Sequence, residues 1–167
     1  MWKKIDPKQL DQNVFSMIGE QWMLITAGTP AKCNTMTASW GGLGVLWGKP
    51  VATAYVRPQR STREFLDNSE YFTLTFFGEE YRQALALCGS KSGREVDKIA
   101  QCGFTVLEGE GGAPYFDQAQ TVLVCRKRFV QAMDAANIPE DVKENFYPQQ
   151  DYHLIYIGEI VEALVKE

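Results

Sequence analysis

The chain has 167 residues, 45% hydrophobic and 23% charged, with a formal net charge of -4. That length can hold a hydrophobic core in one domain, and the acidic balance excludes a general nucleic-acid binder, which needs a broad basic surface. No apolar run approaches the ~20 residues of a membrane-spanning helix, and residues 1–7 lack the apolar centre of a signal peptide. The expectation is a cytoplasmic protein that engages neither nucleic acid nor membrane.

In chain order, residues 1–13 are polar and read as an arm or short strand. Residues 22–27 form a continuous apolar run, expected as a buried strand, and Gly28-Thr29-Pro30 punctuates it. The stretch Asn34-Thr35-Met36-Thr37-Ala38-Ser39-Trp40 follows. Its short polar side chains, followed by a Trp and glycines, read as a loop wrapped around a flat polar ligand. Gly41, Gly42 and Gly44 exclude a helix, residues 45–47 read as a short strand, and residues 51–56 as another, rich in β-formers. Ser61-Thr62-Arg63-Glu64 fits a capping box that opens a short helix to about Asn68. Residues 71–77 alternate Thr with apolar residues, which predicts a strand with one wetter face.

Residues 79–88 look helical, closed by Gly89. Ser92-Gly93-Arg94-Glu95 resembles a second capping box, opening a helix that carries Arg94 and Lys98 on one face and closes at Gly103. Residues 104–107 and 120–129 are expected strands with a Gly-rich turn at 108–114 between them. A short helix at 138–148 and a long closing strand at 152–165 complete the chain. Neither repeat nor interdomain linker interrupts residues 1–167, so one domain is expected. Short strands with helices inserted between them, without strict β-α-β alternation, predict a mainly-β barrel rather than a doubly wound sheet.

The chemistry is first defined by what is missing. Trp47 stands where a dinucleotide fingerprint would have its third Gly, and there is no phosphate loop of the G-x-x-x-x-G-K type. One His and no G-x-S-x-G argue against a serine hydrolase. Cys33, Cys88, Cys102 and Cys125 form no C-x-x-C pair, so no metal site is expected and burial as free thiols is the plain reading, with Cys33, beside the loop, left open. No catalytic side chain is identified; if the protein is an enzyme, a bound cofactor carries the chemistry. Arg57, Arg60 and Arg63, with Thr62, lie at a strand-to-helix transition where an anion could be held. The alternative is three solvated arginines. Lys91, Arg94 and Lys98 form a second basic group, with Lys91 and Ser92 ahead of the helix at its amide-rich end; the alternative is an exposed helix. Arg126 and Arg128 read as an exposed edge. Trp40 suits a wall that stacks on a flat ring. Together these describe a ligand with a flat heteroaromatic end and an anionic end.

Three segments, residues 34–40, 57–62 and 92–98, with the closing strand at 153–161, resemble the flavin reductase-like, FMN-binding split-barrel family, and within it the flavoredoxin-like branch. The resemblance spans roughly residues 20–165. It implies a six-stranded Greek-key split barrel working as a homodimer, with FMN near the subunit interface. Asn34 through Trp40 would line the isoalloxazine and ribityl chain, Arg57, Arg60 and Thr62 would lie near the phosphate, and Lys91, Ser92 and Lys98 would close over the cofactor. His153 is left between a cofactor contact and an ordinary strand residue. The implied function is an oxidoreductase passing electrons from NADH, NADPH or a protein donor through FMN. The alternatives are a non-enzymatic FMN-binding electron carrier and, less well matched, a split-barrel oxidase of a phosphorylated amine such as pyridoxamine phosphate.

Overall fold

A computed structural model describes residues 1–167. Ten strands form: β1 (Trp2–Ile5), β2 (Met23–Gly28), β3 (Cys33–Ala38), β4 (Gly41–Leu46), β5 (Lys49–Val56), β6 (Tyr71–Phe76), β7 (Val106–Glu108), β8 (Pro114–Phe116), β9 (Thr121–Ala132) and β10 (Leu154–Lys166). The helices are α1 (Val14–Ser16), which runs into a π turn at Met17–Gln21, α2 (Thr62–Asp67), α3 (Arg82–Ser90), α4 (Lys98–Cys102) and α5 (Glu140–Phe146). The mainly-β expectation holds, but the count of six strands does not. Eight strands make one antiparallel sheet in the order β3-β2-β6-β9-β10-β5-β4, with β1 added to the far half of β10, and β7 pairs only with β8.

The 13-residue β10 is the spine of this sheet. One side pairs with β9 along its length; the other pairs first with β5 and then with β1. Register shifts at Ile157/Gly158 and Ile160/Glu162 bend the β9–β10 pair. Gly158 is required there, because a Cβ would stand 2.7 Å from the Cβ of Cys125 and 2.8 Å from the Phe72 ring.

The apolar run of β2 is continuous because both of its faces are covered. Ile25 belongs to one core cluster with Met36, Phe72 and Tyr156, and Leu24 to a second with Phe77, Leu85, Phe104 and Phe116. The wetter face expected of β6 is absent: Thr73 and Thr75 are fully buried. Thr73 Oγ1 donates to the Pro114 carbonyl at the start of β8, so cover by the β7–β8 hairpin replaces water on that face.

Other local expectations are also corrected. Residues 33–38 are not a loop but β3, paired residue for residue with β2, because their polar side chains find partners inside the protein. Thr35 Oγ1 lies 2.8 Å from Thr26 Oγ1, Thr37 Oγ1 donates to the Leu85 carbonyl, and Asn34 Nδ2 donates to Ser61 Oγ at 2.6 Å. The 61–64 capping box does not form, since Ser61 Oγ is already taken by Asn34 and by the Gly93 amide. Gly89 lies inside α3 rather than closing it. Residues 92–95 make a turn, and the following helix begins later, capped by the Asp97 side chain and closed by Gly103 at φ 66. Arg94 therefore shares no helix face with Lys98 and pairs instead with Glu64. Arg126 and Arg128 are exposed, but on a strand interior to the sheet rather than at its edge, where Glu70 and Glu159 neutralise them.

Candidate functional site

β3 ends the sheet on one side, so alternate backbone groups along its outer margin have no strand partner. The Thr35 carbonyl points outward, since it accepts from Lys98 Nζ at 2.8 Å. The alternation of an antiparallel pair sends the backbone groups of Thr37 the same way. α3 packs against this margin, Leu85 taking the Thr37 hydroxyl.

Arg60 fixes the end of α3. Its Nη1 donates to the Gly89 carbonyl at 3.1 Å and its Nη2 to the Cys88 carbonyl at 3.2 Å, where a helix leaves acceptors free. Burial lowers the Arg60 pKa. Lys98 reinforces the same point from behind: it is 3% exposed, and its Nζ also donates to the Cys88 carbonyl at 2.9 Å. Burial pushes its pKa down to about 8.

Arg57 does something else. Its guanidinium donates to the Phe146 carbonyl at 3.1 Å, pairs with Asp151 Oδ2 at 3.1 Å, and lies over the Tyr147 ring. The hydrogen bond from Gln59, with the Arg57 charge behind it, holds the Asp151 carboxyl below its ordinary range. Arg57 is thus a clamp on residues 146–151, and the clamp builds an aromatic wall. Trp40 stands edge-on to Phe146 at 5.4 Å and 5.4 Å from His153, which Tyr55 flanks at 6.3 Å. His153 is 6% exposed, with Nδ1 2.6 Å from the Tyr147 hydroxyl. Burial, with the Arg57 charge adding to it, pulls its pKa down to about 4, so the ring is neutral at neutral pH.

These elements enclose a cleft of about 250 Å³. Met36, Thr37, Ala38, Ser39 and Trp40 line it, as do Arg57 and Arg60. Tyr55, Gly89 and His153 complete it. Asn34 and Lys98 open instead onto a second cleft, of about 640 Å³, on the other side of the β3 margin, together with Ser61 and Gly93. Thr35 and Thr62 are fully buried; Thr35 is turned into the sheet, and Thr62 Oγ1 accepts from Asn34 at 3.3 Å. Lys91 is exposed, and the Ser92 hydroxyl accepts from the Arg94 amide; neither borders the first cleft.

Sequence reasoning left His153 undecided and did not single out Tyr55, Phe146 or Tyr147. The lone histidine was the one available signal; the others are ordinary strand and helix aromatics until Arg57 folds the 146–151 segment across the sheet.

No curated protein matches the chain. Among solved structures it is similar to a flavoredoxin from Methanosarcina acetivorans, at 23% identity and a TM-score of 0.71 over 98% of this chain and 77% of that one. It is also similar to an FMN-binding domain of a flavin reductases-like enzyme from Shewanella baltica OS155, at 20% identity and 0.70 over 99% and 77%. A third is the flavoredoxin of Desulfovibrio vulgaris (Miyazaki F), at 19% and 0.69 over 98% and 78%. At these identities the likeness shows a shared fold. The sequence match is broader in kind: residues 15–167, from α1 through the whole of β10, fit the family described as the flavin reductase like domain. That stretch contains every residue of both clefts, and the chain belongs to the flavin reductase like domain family.

Proposed function

We propose that the protein binds FMN along the outer margin of β3 and serves as an FMN-dependent oxidoreductase. The observation that carries this is the meeting, in one cleft, of an unpaired strand margin, a guanidinium and an aromatic wall. The residues fit the group. The rim of a flavin alternates hydrogen-bond donors and acceptors, and a free strand margin offers both in line. Arg60 spends two of its five N–H groups on α3 and keeps the rest for a phosphate oxygen. Trp40 and His153 exclude water from one side of the ring.

FMN, when bound, supplies the ability to take up a hydride and release electrons singly or in pairs. The chain orients it through β3, holds its phosphate through Arg60 with Arg57 nearby, and lets Asn34, Ser61, Thr62 and Lys98 stiffen that margin from behind. The donor is NADH, NADPH or a reduced protein.

A cleft of about 250 Å³ is small for a whole flavin. We infer that a second copy of the chain completes it, in a homodimer with FMN near the interface. Trp40, Phe146, Val45 and Trp47 are exposed apolar side chains on or near the site and the β4 margin, and a partner would cover them. The sheet then curls as a split barrel with β3 and β4 at its margins. The second reading is an electron carrier without turnover of its own, which the same FMN cleft supports equally.

The test is direct. Purified protein is mixed with FMN, desalted, and its visible spectrum recorded; a retained flavin spectrum is expected. Anaerobic stopped-flow mixing with NADH or NADPH follows. Rapid bleaching supports the oxidoreductase, and a bound flavin that neither donor reduces supports the carrier. Release of all FMN on desalting would overturn the carrier reading and leave flavin, at most, a passing substrate.

A further inference from the structure

We propose that Cys88 and Cys102 form an oxidisable dithiol, which a two-electron oxidant of the peroxide class closes to a disulfide between α3 and α4. Their sulfurs are 3.8 Å apart, in contact, although 14 residues separate them in the chain. The approach is built, not incidental. Lys98 and Cys102 lie four apart on one face of α4, and that face meets Cys88 twice. Lys98 Nζ donates to the Cys88 carbonyl, and Cys102 Sγ rests on Cys88 Sγ. The other two thiols have no such partner: Cys125 is fully buried with its Sγ toward the Leu123 carbonyl, and Cys33 lies at the start of β3.

The two sulfurs are unequal, which divides the roles. Cys88 is fully buried and Cys102 is partly exposed, so Cys102 meets the oxidant first. Burial pushes the Cys88 thiol up to about 12, which argues against Cys88 as the first nucleophile. In the first step Cys102 sulfur attacks a peroxide oxygen; an S–O bond forms, the O–O bond breaks and one water leaves. In the second, Cys88 sulfur attacks Cys102 sulfur. An S–S bond forms, the S–O bond breaks, and the hydroxide departs with the Cys88 proton as the second water. Each sulfur loses one electron, and the two peroxide oxygens gain one each.

The dithiol sits on the node that shapes the cleft. The Cys88 carbonyl accepts from both Arg60 and Lys98, and Gly89, its neighbour, lines the cleft. Drawing sulfurs from 3.8 Å to the ~2.05 Å of a disulfide moves the last turn of α3 or the end of α4, and with it the guanidinium anchored there. Oxidation therefore weakens FMN binding, a consequence that rests on the function proposed above, whereas the dithiol itself does not.

The experiment treats the purified protein with hydrogen peroxide, denatures it, alkylates free thiols and maps them by mass spectrometry. Two of the four thiols are expected to escape alkylation, with the intact mass lower by two hydrogens and a Cys88–Cys102 linked peptide that dithiothreitol releases. In Cys88→Ser the Cys102 sulfenic acid should persist and be trapped by dimedone. Full alkylation after peroxide, over-oxidation of Cys102 with Cys88 still free, or a link through Cys33 would each overturn the proposal. FMN titrations of the reduced and oxidised forms then read the coupling, expected as at least about a fivefold weaker affinity when oxidised. Equal affinities would overturn the coupling alone, and no binding by the reduced form would overturn the FMN reading while leaving the thiol map to judge the dithiol.

Discussion

His153 is the only histidine in the chain, so its protonation can be read without ambiguity. Its pKa falls from an ordinary 6.5 to about 4, mainly through burial and then through the Arg57 charge. Between those values the unfolded chain binds a proton that the folded chain does not, so stability is lost as the pH falls. Integrating that linkage from about pH 7.5 to about pH 4.5 gives a loss of about 2.5 kcal/mol at most. Asp117 and Asp151 have carboxyls held below 3.8, so their contributions are lost at lower pH and lie outside the window. His153→Asn supplies the control: its carboxamide oxygen can accept the Tyr147 hydroxyl that the imidazole Nδ1 now faces at 2.6 Å. Urea unfolding at both pH values, followed by tryptophan fluorescence, should show the loss in the native protein and not in the variant. NMR of the imidazole should give a midpoint near 4. A midpoint between about 6 and 7, the ordinary range, or the same loss in both proteins, would refute the assignment of this wall as buried and positively biased.

Three further substitutions probe the scaffold. Arg60→Gln removes donors from the Cys88 and Gly89 carbonyls; FMN affinity by fluorescence titration should fall about tenfold or more, and stability by about 1–3 kcal/mol. Lys98→Met leaves the Thr35 carbonyl without its Lys98 donor and the Cys88 carbonyl with Arg60 alone, a cost of about 2 kcal/mol once relief of the buried ammonium is set against it. Because the Lys98 pKa falls from 10.5 to about 8, the native protein should gain on the variant as pH rises through that window, where the unfolded chain alone keeps the proton. Gly158→Ala presses a methyl group against Cys125 and Phe72; a loss of about 1–3 kcal/mol in urea unfolding is expected, and an unchanged midpoint would contradict the close β9–β10 packing.

The strands were the most legible feature. Both-face burial writes a continuous apolar run, as in Met23–Ala27, and β-branched residues mark β5 and β10. The helix starts were less so. Ser61 has the residue type and spacing of a cap, yet its hydroxyl serves Asn34 and Gly93, contacts 27 and 32 residues distant that no local pattern encodes. Residues 34–40 drew attention for their short polar side chains, which read as a loop, whereas 33–38 form a strand. Their hydroxyls mostly bond inward, and what β3 leaves free at its margin is backbone.

The sequence by itself determined a mainly-β fold, the membership of residues 15–167 in one family, and the neighbourhood of the cleft, because these rest on composition, periodicity and motifs in order. Only the tertiary structure decided which residues face which cleft. It made Arg57 a clamp on residues 146–151, gave Arg60 to the end of α3, buried Lys98 beneath β3, set His153 against Tyr147, and brought the Cys88 and Cys102 sulfurs into a contact that no spacing announces. The physical reason is common to all of them. Long polar side chains take whichever buried carbonyl or carboxylate the fold leaves unpaired, and that choice is made across the chain rather than along it.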